Sequence, residues 1–251
     1  MIDEKNIYVI MQARIGSTRL PGKILKEILG KSVLEITIER LLYTRNIDGV
    51  IVATTHESDS QLIIDICQKF NNEKVKYFQG STDDVLARYY ESAKRFDVDV
   101  IVRVTSDCPL IDPDLLAEMI DEYFLLEKKG EHFALLTNNL THTYPHGLDA
   151  EIFSFKNLEF MFNEAADTFE REHVTPFIRR HPEEFRIINI AQEEDHSFHR
   201  WTLDYIEDFE FIKAVFERLY PSNPKFTRHD VIDLLKKHPH IFEINQSRRQ
   251  R

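Results

Sequence analysis

The sequence predicts an α/β fold in which a mostly parallel sheet is covered by helices on both faces. Two observations carry this. Short β-branched runs recur at Ile7–Met11, Val50–Thr54 and Val100–Val104, with a shorter one at 75–78. Between them, segments 33–44, 59–70 and 83–95 place apolar residues at helical spacing. Continuous apolar strands that alternate with helices read as βαβ units, because a strand buried on both faces has no polar side to show.

Each further element follows from its own local signal. Asp112-Pro113 is a helix start, so 113–127 reads as an amphipathic helix. Ala134–Thr137 reads as a strand, and a stretch rich in Asn, Thr and His (138–149) as a loop leading to a strand at Glu151–Phe153. Helical patterns follow at 155–165 and 170–180, a strand at Phe185–Ile190, and helices at 207–219 and 228–238. The closing SRRQR is expected to fray. With no repeat and no low-complexity linker, the 251 residues read as one domain, 1–251, with an excursion at 138–200.

Composition narrows the partners. The formal net charge is −11, from 43 acidic and 32 basic side chains. That sign argues against a long polyanion such as nucleic acid, while a local cluster of cations can still bind a nucleotide. Cys67 and Cys108 form no CxxC pair and imply no zinc site. No apolar run reaches the roughly 18 residues of a membrane helix, and MIDEKN is not a secretory leader, so a cytoplasmic setting without membrane contact is expected.

The chemistry concentrates after the first strand, in Gln12-Ala13-Arg14-Ile15-Gly16-Ser17-Thr18-Arg19-Leu20-Pro21-Gly22-Lys23. In an open parallel sheet, ligands bind outside the carboxyl ends of strands. Glycines let backbone N–H groups approach phosphate oxygens, Arg forks onto them and Lys adds a point charge. The segment is not a P-loop: five residues separate Gly16 from Gly22, and Ile24 follows Lys23 where a Ser or Thr would be needed. By itself it reads as a phosphate cradle, or as a basic turn that solvates a strand end.

Phosphoryl or nucleotidyl transfer needs a metal to neutralise the triphosphate, and Mg²⁺ is held by one or two carboxylates. Asp107, in Thr105-Ser106-Asp107-Cys108-Pro109, lies at the carboxyl end of the third long strand, where a turn or capping role is the competing reading. Asp204, in RWTLDYIED, is a second candidate, with a helix-cap role as the stronger alternative. Asp97-Val98-Asp99 imitates a DxD metal motif but precedes its strand, so it is expected to face away.

These segments, with IVATT, FQGSTDDVLARYY, RVTSDCPLIDP, YPHGLDAEIF, EREHVTPFIR and RWTLDYIEDFEFI, resemble the SpsF-type cytidylyltransferases of spore-coat and surface polysaccharide synthesis. That group is related to the acylneuraminate and Kdo cytidylyltransferases. The resemblance runs in order from residue 12 to about 212. It implies a GT-A/Rossmann-like three-layer α/β/α sandwich, a homodimer with 138–200 as sugar site and dimer arm, and transfer of CMP from CTP to a sugar hydroxyl. Arg14 and Lys23 would bind the triphosphate with help from Arg19, and Gln12 and Ala13 would lie under the nucleotide. Gly16, Ser17 and Ser106 complete that nucleotide set, and Asp107 and Asp204 would hold Mg²⁺. Ile15 and Thr18 stand where sialic-acid and Kdo enzymes tend to carry Gly and Lys, which matches the SpsF branch.

Gly80-Ser81-Thr82-Asp83-Asp84 falls at the same sheet edge, with Ser81 or Thr82 expected to cap a helix from about Asp83 and exposed N–H groups near Gly80 and Ser81 available to the nucleotide. Arg88 reads as a solvated arginine. On the acceptor side, Asp149 and Glu151 suit sugar hydroxyls, and Arg171 could pair with an acceptor carboxylate or lie on a solvated face or at a subunit contact. The resemblance to enzymes that handle such acids implies a nonulosonic acid as the leading acceptor. His146, His173 and His199 lack metal-ligand spacing. Two rival readings are a GT-A glycosyltransferase, which needs a DxD at a strand's carboxyl end, and a catalytically silent nucleotide-binding subunit, which would be expected to lack the acidic pair.

Overall fold

The computed structural model describes residues 5–249. Along the chain it forms β1 (Ile7–Gln12), the two-residue strands β2 (Glu27–Ile28) and β3 (Lys31–Ser32), α1 (Val33–Leu41), β4 (Gly49–Thr55), α2 (Gln61–Lys69) and β5 (Val75–Gly80). Next come α3 (Val85–Arg95), β6 (Val100–Thr105), α4 (Pro113–Lys128), β7 (Leu135–Thr137), β8 (Glu151–Ser154) and α5 (Phe155–Glu164). The rest is α6 (Thr168–His173), α7 (Pro176–Arg180), β9 (Ile187–Asn189), α8 (Ile206–Leu219), α9 (Arg228–Lys237) and α10 (Pro239–Glu243).

The seven-stranded sheet has the order β5-β4-β1-β6-β8-β7-β9. Only β8 runs against its neighbours. Strand periodicity builds the layers. Ile7, Val9, Met11, Val50, Val52, Val100, Val102 and Val104 enter one core, shared with α1, α2, α4, α8 and α9. The intervening Tyr8, Ile10, Ile51, Ala53 and Ile101 enter the other, shared with α3, α5 and α7. Both faces are thus buried, giving the expected α/β/α sandwich with a mostly parallel, mixed sheet.

Register sets the site. Gln12 of β1 pairs with Ala53 of β4 and Thr105 of β6. Gly80 of β5 pairs with Thr55 of β4. The carboxyl ends of these four strands therefore share one edge, and the loops after β1, β5 and β6 rise together from it. Asp99, from the DxD-like segment, lies at the opposite edge, where its carboxylate accepts from the Asn6 N–H at 2.8 Å.

Several local expectations change. The helix expected over 170–180 is two helices, broken at Val174, whose φ is +74°. The β2–β3 hairpin escapes sequence reading because its strands are two residues long; Leu29 and Gly30, both at positive φ, make its turn. Helix α3 is capped by Asp84, whose side chain accepts from the Ala87 N–H, rather than by Ser81 or Thr82. Ser81 Oγ instead accepts from the Asp84 N–H at 3.1 Å. The described part of the expected frayed tail is engaged: Arg248 pairs with Glu207 at 3.1 Å, and Arg249 donates to the Phe242 carbonyl. Residues 250 and 251 lie outside the described residues.

Two arginines, Arg40 buried and Arg103 half-buried, brace the site edge. Arg40 of α1 donates to the carbonyls of Ile111 at 2.8 Å, Phe226 at 2.8 Å and Pro224 at 3.0 Å, which ties the loop after β6 to the start of α9. Arg103 of β6 sits opposite Glu151 of β8, and their side chains pair at 2.5 Å. Glu151 also takes Arg179 at 2.7 Å and the Thr175 hydroxyl at 2.7 Å. The expectation that Glu151 faces a sugar is therefore corrected: its carboxylate is buried and joins β6, β8 and α7.

Burial pushes the Glu151 carboxyl up, and Arg103 and Arg179 more than reverse this, holding it below the ordinary glutamate value. Its stabilisation is therefore present above about pH 4.3 and is lost as pH falls through the lower folded value. We expect Glu151→Gln to cost about 3 kcal/mol at pH 7 in urea unfolding, since a buried ion pair loses one member. The deficit should shrink below about pH 4; a deficit independent of pH would contradict this reading. Arg40→Met is expected to cost about 2–4 kcal/mol by the same measurement, because buried carbonyls lose their donors; a change under about 0.5 kcal/mol would show that loop 106–112 does not depend on it.

Candidate active site

A cleft of about 530 Å³ opens over the shared strand edge. Its wall is made by Gln12, Ala13, Arg14, Gly16, Ser17, Arg19 and Lys23 of the first loop and by Ser106 and Asp107 after β6. Thr82, Asp83, Val85 and Arg88 form the α3 side, and Thr168, Glu172 and His173 of α6 close it.

The first loop folds onto itself before Lys23 is placed. The Gly22 N–H donates to the Ile15 carbonyl at 3.4 Å and the Lys23 N–H to the Leu20 carbonyl at 3.2 Å. Gly22 adopts φ +64°, a conformation that favours glycine, and starts the short helical turn Lys23–Leu25, with Ile24 buried as its anchor. Lys23 Nζ then reaches Asp107 Oδ2 at 2.6 Å and Asp204 Oδ1 at 3.0 Å.

Asp107 and Asp204 are distant in sequence but joined by backbone. The Leu203 N–H donates to the Asp107 carbonyl at 2.7 Å, and the Trp201 N–H to the His146 carbonyl at 2.7 Å. Gly147 lets this segment approach, since a Cβ there would stand 2.7 Å from Thr202 N. Asp208 fixes the far side: it accepts from the Asp204 N–H at 3.0 Å and from Arg200 Nε at 3.0 Å. Asp204 is therefore not the cap of α8, which begins after Tyr205. Its carboxylate is free to meet Lys23, Arg19 at 2.5 Å and Arg200 at 2.9 Å.

These contacts set the charges. Burial pulls the Lys23 ammonium down, but Asp107 and then Asp204 overcome it and hold its pKa above the ordinary lysine value. Burial pushes Asp204 up, and Lys23, Arg19 and Arg200 together hold it below the usual aspartate value. The centre is an ammonium bridging two carboxylate side chains. Hard carboxylate oxygens gathered on one cationic point are the donor type that suits Mg²⁺, which takes one or two carboxylates and completes its shell with water and phosphate. A separate cluster of half-buried His181 with exposed Glu183 and Glu184 is not part of the cleft lining.

Gln12 is held by Tyr89, whose hydroxyl donates to Gln12 Oε1 at 2.7 Å. Ala13 is pinned by its N–H to the Ala53 carbonyl at 3.1 Å. Arg14 lines the cleft, and its side chain makes no ion pair among the described residues. Arg88, expected to be solvated, is instead buried on the cleft wall. The helical spacing of Val85, Arg88, Tyr89, Ser92 and Ala93, all buried, was the available signal that Arg88 belongs to the inward face. Gly80 and Ser81 lie outside the cleft lining, which Thr82 and Asp83 join in their place.

The acceptor side differs most from expectation. Asp149 accepts from the Gly147 N–H at 2.9 Å and shapes that turn, outside the cleft lining. Arg171 points away, onto Asp84 at 2.6 Å and the carbonyls of Ala165 at 2.9 Å and Phe162 at 3.0 Å. The same short helix instead presents Thr168, Glu172 and His173, residues that carried no spacing signal.

A family model described as cytidylyltransferase matches residues 8–242. The spore coat polysaccharide biosynthesis protein SpsF of Bacillus subtilis is 30% identical over 241 residues, 93% of this chain and 95% of that one. The 3-deoxy-manno-octulosonate cytidylyltransferase of Trichlorobacter lovleyi is 34% identical over 119 residues, 47% of this chain and 44% of that one. Among solved structures, a cytidylyltransferase from Leptospira borgpetersenii superposes with a TM-score of 0.88 at 34% identity, covering 95% of this chain and 97% of that one. With the cleft and its charged centre, these likenesses settle the family: the chain is a nucleotidyltransferase that belongs to the cytidylyltransferases.

Proposed function

We propose that the chain transfers CMP from CTP to a hydroxyl of an acidic sugar of the nonulosonic type, releasing pyrophosphate, in the synthesis of a surface or spore-coat polysaccharide. The observation that carries the reading is the placement of Lys23 and Asp107 in the cleft wall, with the Lys23 ammonium bridging Asp107 and Asp204. The acceptor class is supported by the names of the similar proteins, one acting in spore-coat polysaccharide synthesis and one on 3-deoxy-manno-octulosonate.

In the proposed reaction the acceptor oxygen attacks the α-phosphorus in line. A bond forms from that oxygen to phosphorus, the hydroxyl proton is lost to water, the bond from the α-phosphorus to the bridging oxygen breaks, and pyrophosphate leaves with the electron pair. Arg14 and Lys23 hold the triphosphate and stabilise the charge that grows on pyrophosphate. Mg²⁺, held by Asp107 and Asp204, would supply charge neutralisation and orientation of the phosphates. Arg19 supports Asp204 through its ion pair. Thr168, Glu172 and His173 are the groups available to the acceptor on the far wall. No covalent intermediate is needed, and the Cys108 thiol beside Asp107 is a poor nucleophile, since burial and then the Asp107 charge push its pKa well up.

We further propose a homodimer, with 138–200 as the arm; the exposed Leu140, Phe160, Phe169 and Phe198 on that segment support it. No helix among the described residues is long and apolar enough to cross a membrane. A cytoplasmic setting, where CTP is available, fits the proposed reaction.

The test is pyrophosphate release with each of four nucleoside triphosphates against a panel of acidic and neutral sugars, with Mg²⁺ present. Release is expected with CTP and an acidic sugar, and Asp107→Asn is expected to lower turnover by at least about a hundredfold. Release with a neutral sugar alone would overturn the acceptor class. Release with no combination would favour a silent nucleotide-binding subunit.

A further inference from the structure

Arg88 is the cation in the cleft wall whose position nothing so far accounts for. It is 2% exposed, and its Nε and Nη1 have no hydrogen-bond partner. Arg14 is already assigned to the triphosphate, and the remaining arginines named near the site are committed: Arg19 to Asp204, Arg171 to Asp84, Arg103 and Arg179 to Glu151. A guanidinium buried without an acceptor is costly unless something else completes it. The surrounding structure is shaped to keep it there. A Cβ at Gly80 would lie 2.8 Å from Arg88 Cγ, so the glycine leaves a bed for the arginine stem. Burial, with the nearby Arg14 charge, lowers its pKa, and Tyr89, Asp84 and Glu57 only partly offset this.

Its place along the cleft indicates which part of the ligand completes it. In the order β5-β4-β1-β6, Asp107 follows β6 on one side of β1, and α3 follows β5 on the other. If the triphosphate lies at the Lys23–Asp107–Asp204 end, the nucleoside extends toward α3, past Gln12. The Tyr89 hydroxyl occupies Gln12 Oε1 at 2.7 Å, which leaves the Gln12 NH₂ group as the part able to donate to a ligand. Gln12 and Arg88 therefore both offer hydrogen-bond donors. Cytosine presents two adjacent acceptors, O2 and N3, whereas uracil carries a hydrogen on N3 and would set donor against donor.

We propose that Arg88 is a specificity-determining residue that, together with Gln12, reads the O2/N3 acceptor edge of cytosine and so separates CTP from UTP. This rests on the reading of CTP as the nucleotide donor.

The test is calorimetric binding of CTP and of UTP, each with Mg²⁺ and without acceptor, to the wild type, Arg88→Met and Arg88→Lys, alongside thermal unfolding of the free proteins. The wild type is expected to prefer CTP. Arg88→Met should lose about 10- to 100-fold in CTP affinity and change by less than about threefold for UTP, so the preference collapses. Arg88→Lys should recover little, because an ammonium lacks the planar fork. The free Arg88→Met protein should unfold no earlier than wild type, since an uncompensated buried charge has been removed. Equal losses for CTP and UTP would overturn the proposal in favour of a phosphate contact. An earlier unfolding transition with an unchanged CTP/UTP ratio would overturn it in favour of a structural role. Wild-type protein that binds neither nucleotide would defeat the CTP reading itself, and the proposal with it, and is distinguished by requiring no variant.

Discussion

The ammonium of Lys23, held between Asp107 and Asp204, is the interaction around which the site is built. Two carboxylates on one small, partly buried centre repel each other, and water alone screens them poorly where side-chain exposure falls to 10% for Asp204 and 27% for Asp107. A cation must stand between them. Lys23 fills that place, and Arg19 and Arg200 add to it at Asp204. The same lysine is the group proposed to meet the triphosphate, so binding a metal-carrying nucleotide would exchange one cation for another at the carboxylates and release the ammonium toward phosphate.

Much of the surrounding fold keeps those carboxylates in place. Asp107 is set by the end of β6 and by the Leu203 N–H on its carbonyl. Asp204 is set by Asp208, which is fully buried and bonded to Arg200, to the Asp204 and Tyr205 N–H groups and to Asn245. Arg40 holds the far end of the loop after β6. These are buried polar contacts with satisfied partners, a kind that contributes rigidity because any displacement leaves a donor or acceptor unpaired. The acidic pair is thus held by elements from opposite ends of the chain.

The sheet was legible because its strands are apolar on both faces, and the loop at 12–23 because glycines and cations coincide at a strand's end. Asp107 could be placed at the same edge by counting strands. Asp204 could not: it reaches the site only through backbone pairing with residues almost a hundred positions away, which leaves no local pattern. The acceptor side was misread for a related reason. Glu151 and Arg171 have the right chemistry for a sugar acid, but each is taken up by a partner distant in sequence, Arg103 and Asp84 respectively. Arg88 was legible in principle, since it falls on the buried stripe of α3, yet composition alone treats an arginine as solvated. Sequence pattern therefore located the strand edge better than it identified which charged side chains remain available there.

The most direct test is a crystal structure of the chain with CTP and Mg²⁺. The account predicts the metal between Asp107 and Asp204, with Lys23 Nζ and Arg14 on phosphate oxygens. Bound CTP with Lys23 still bridging the two carboxylates, or bound away from the loop at 12–23, would contradict it.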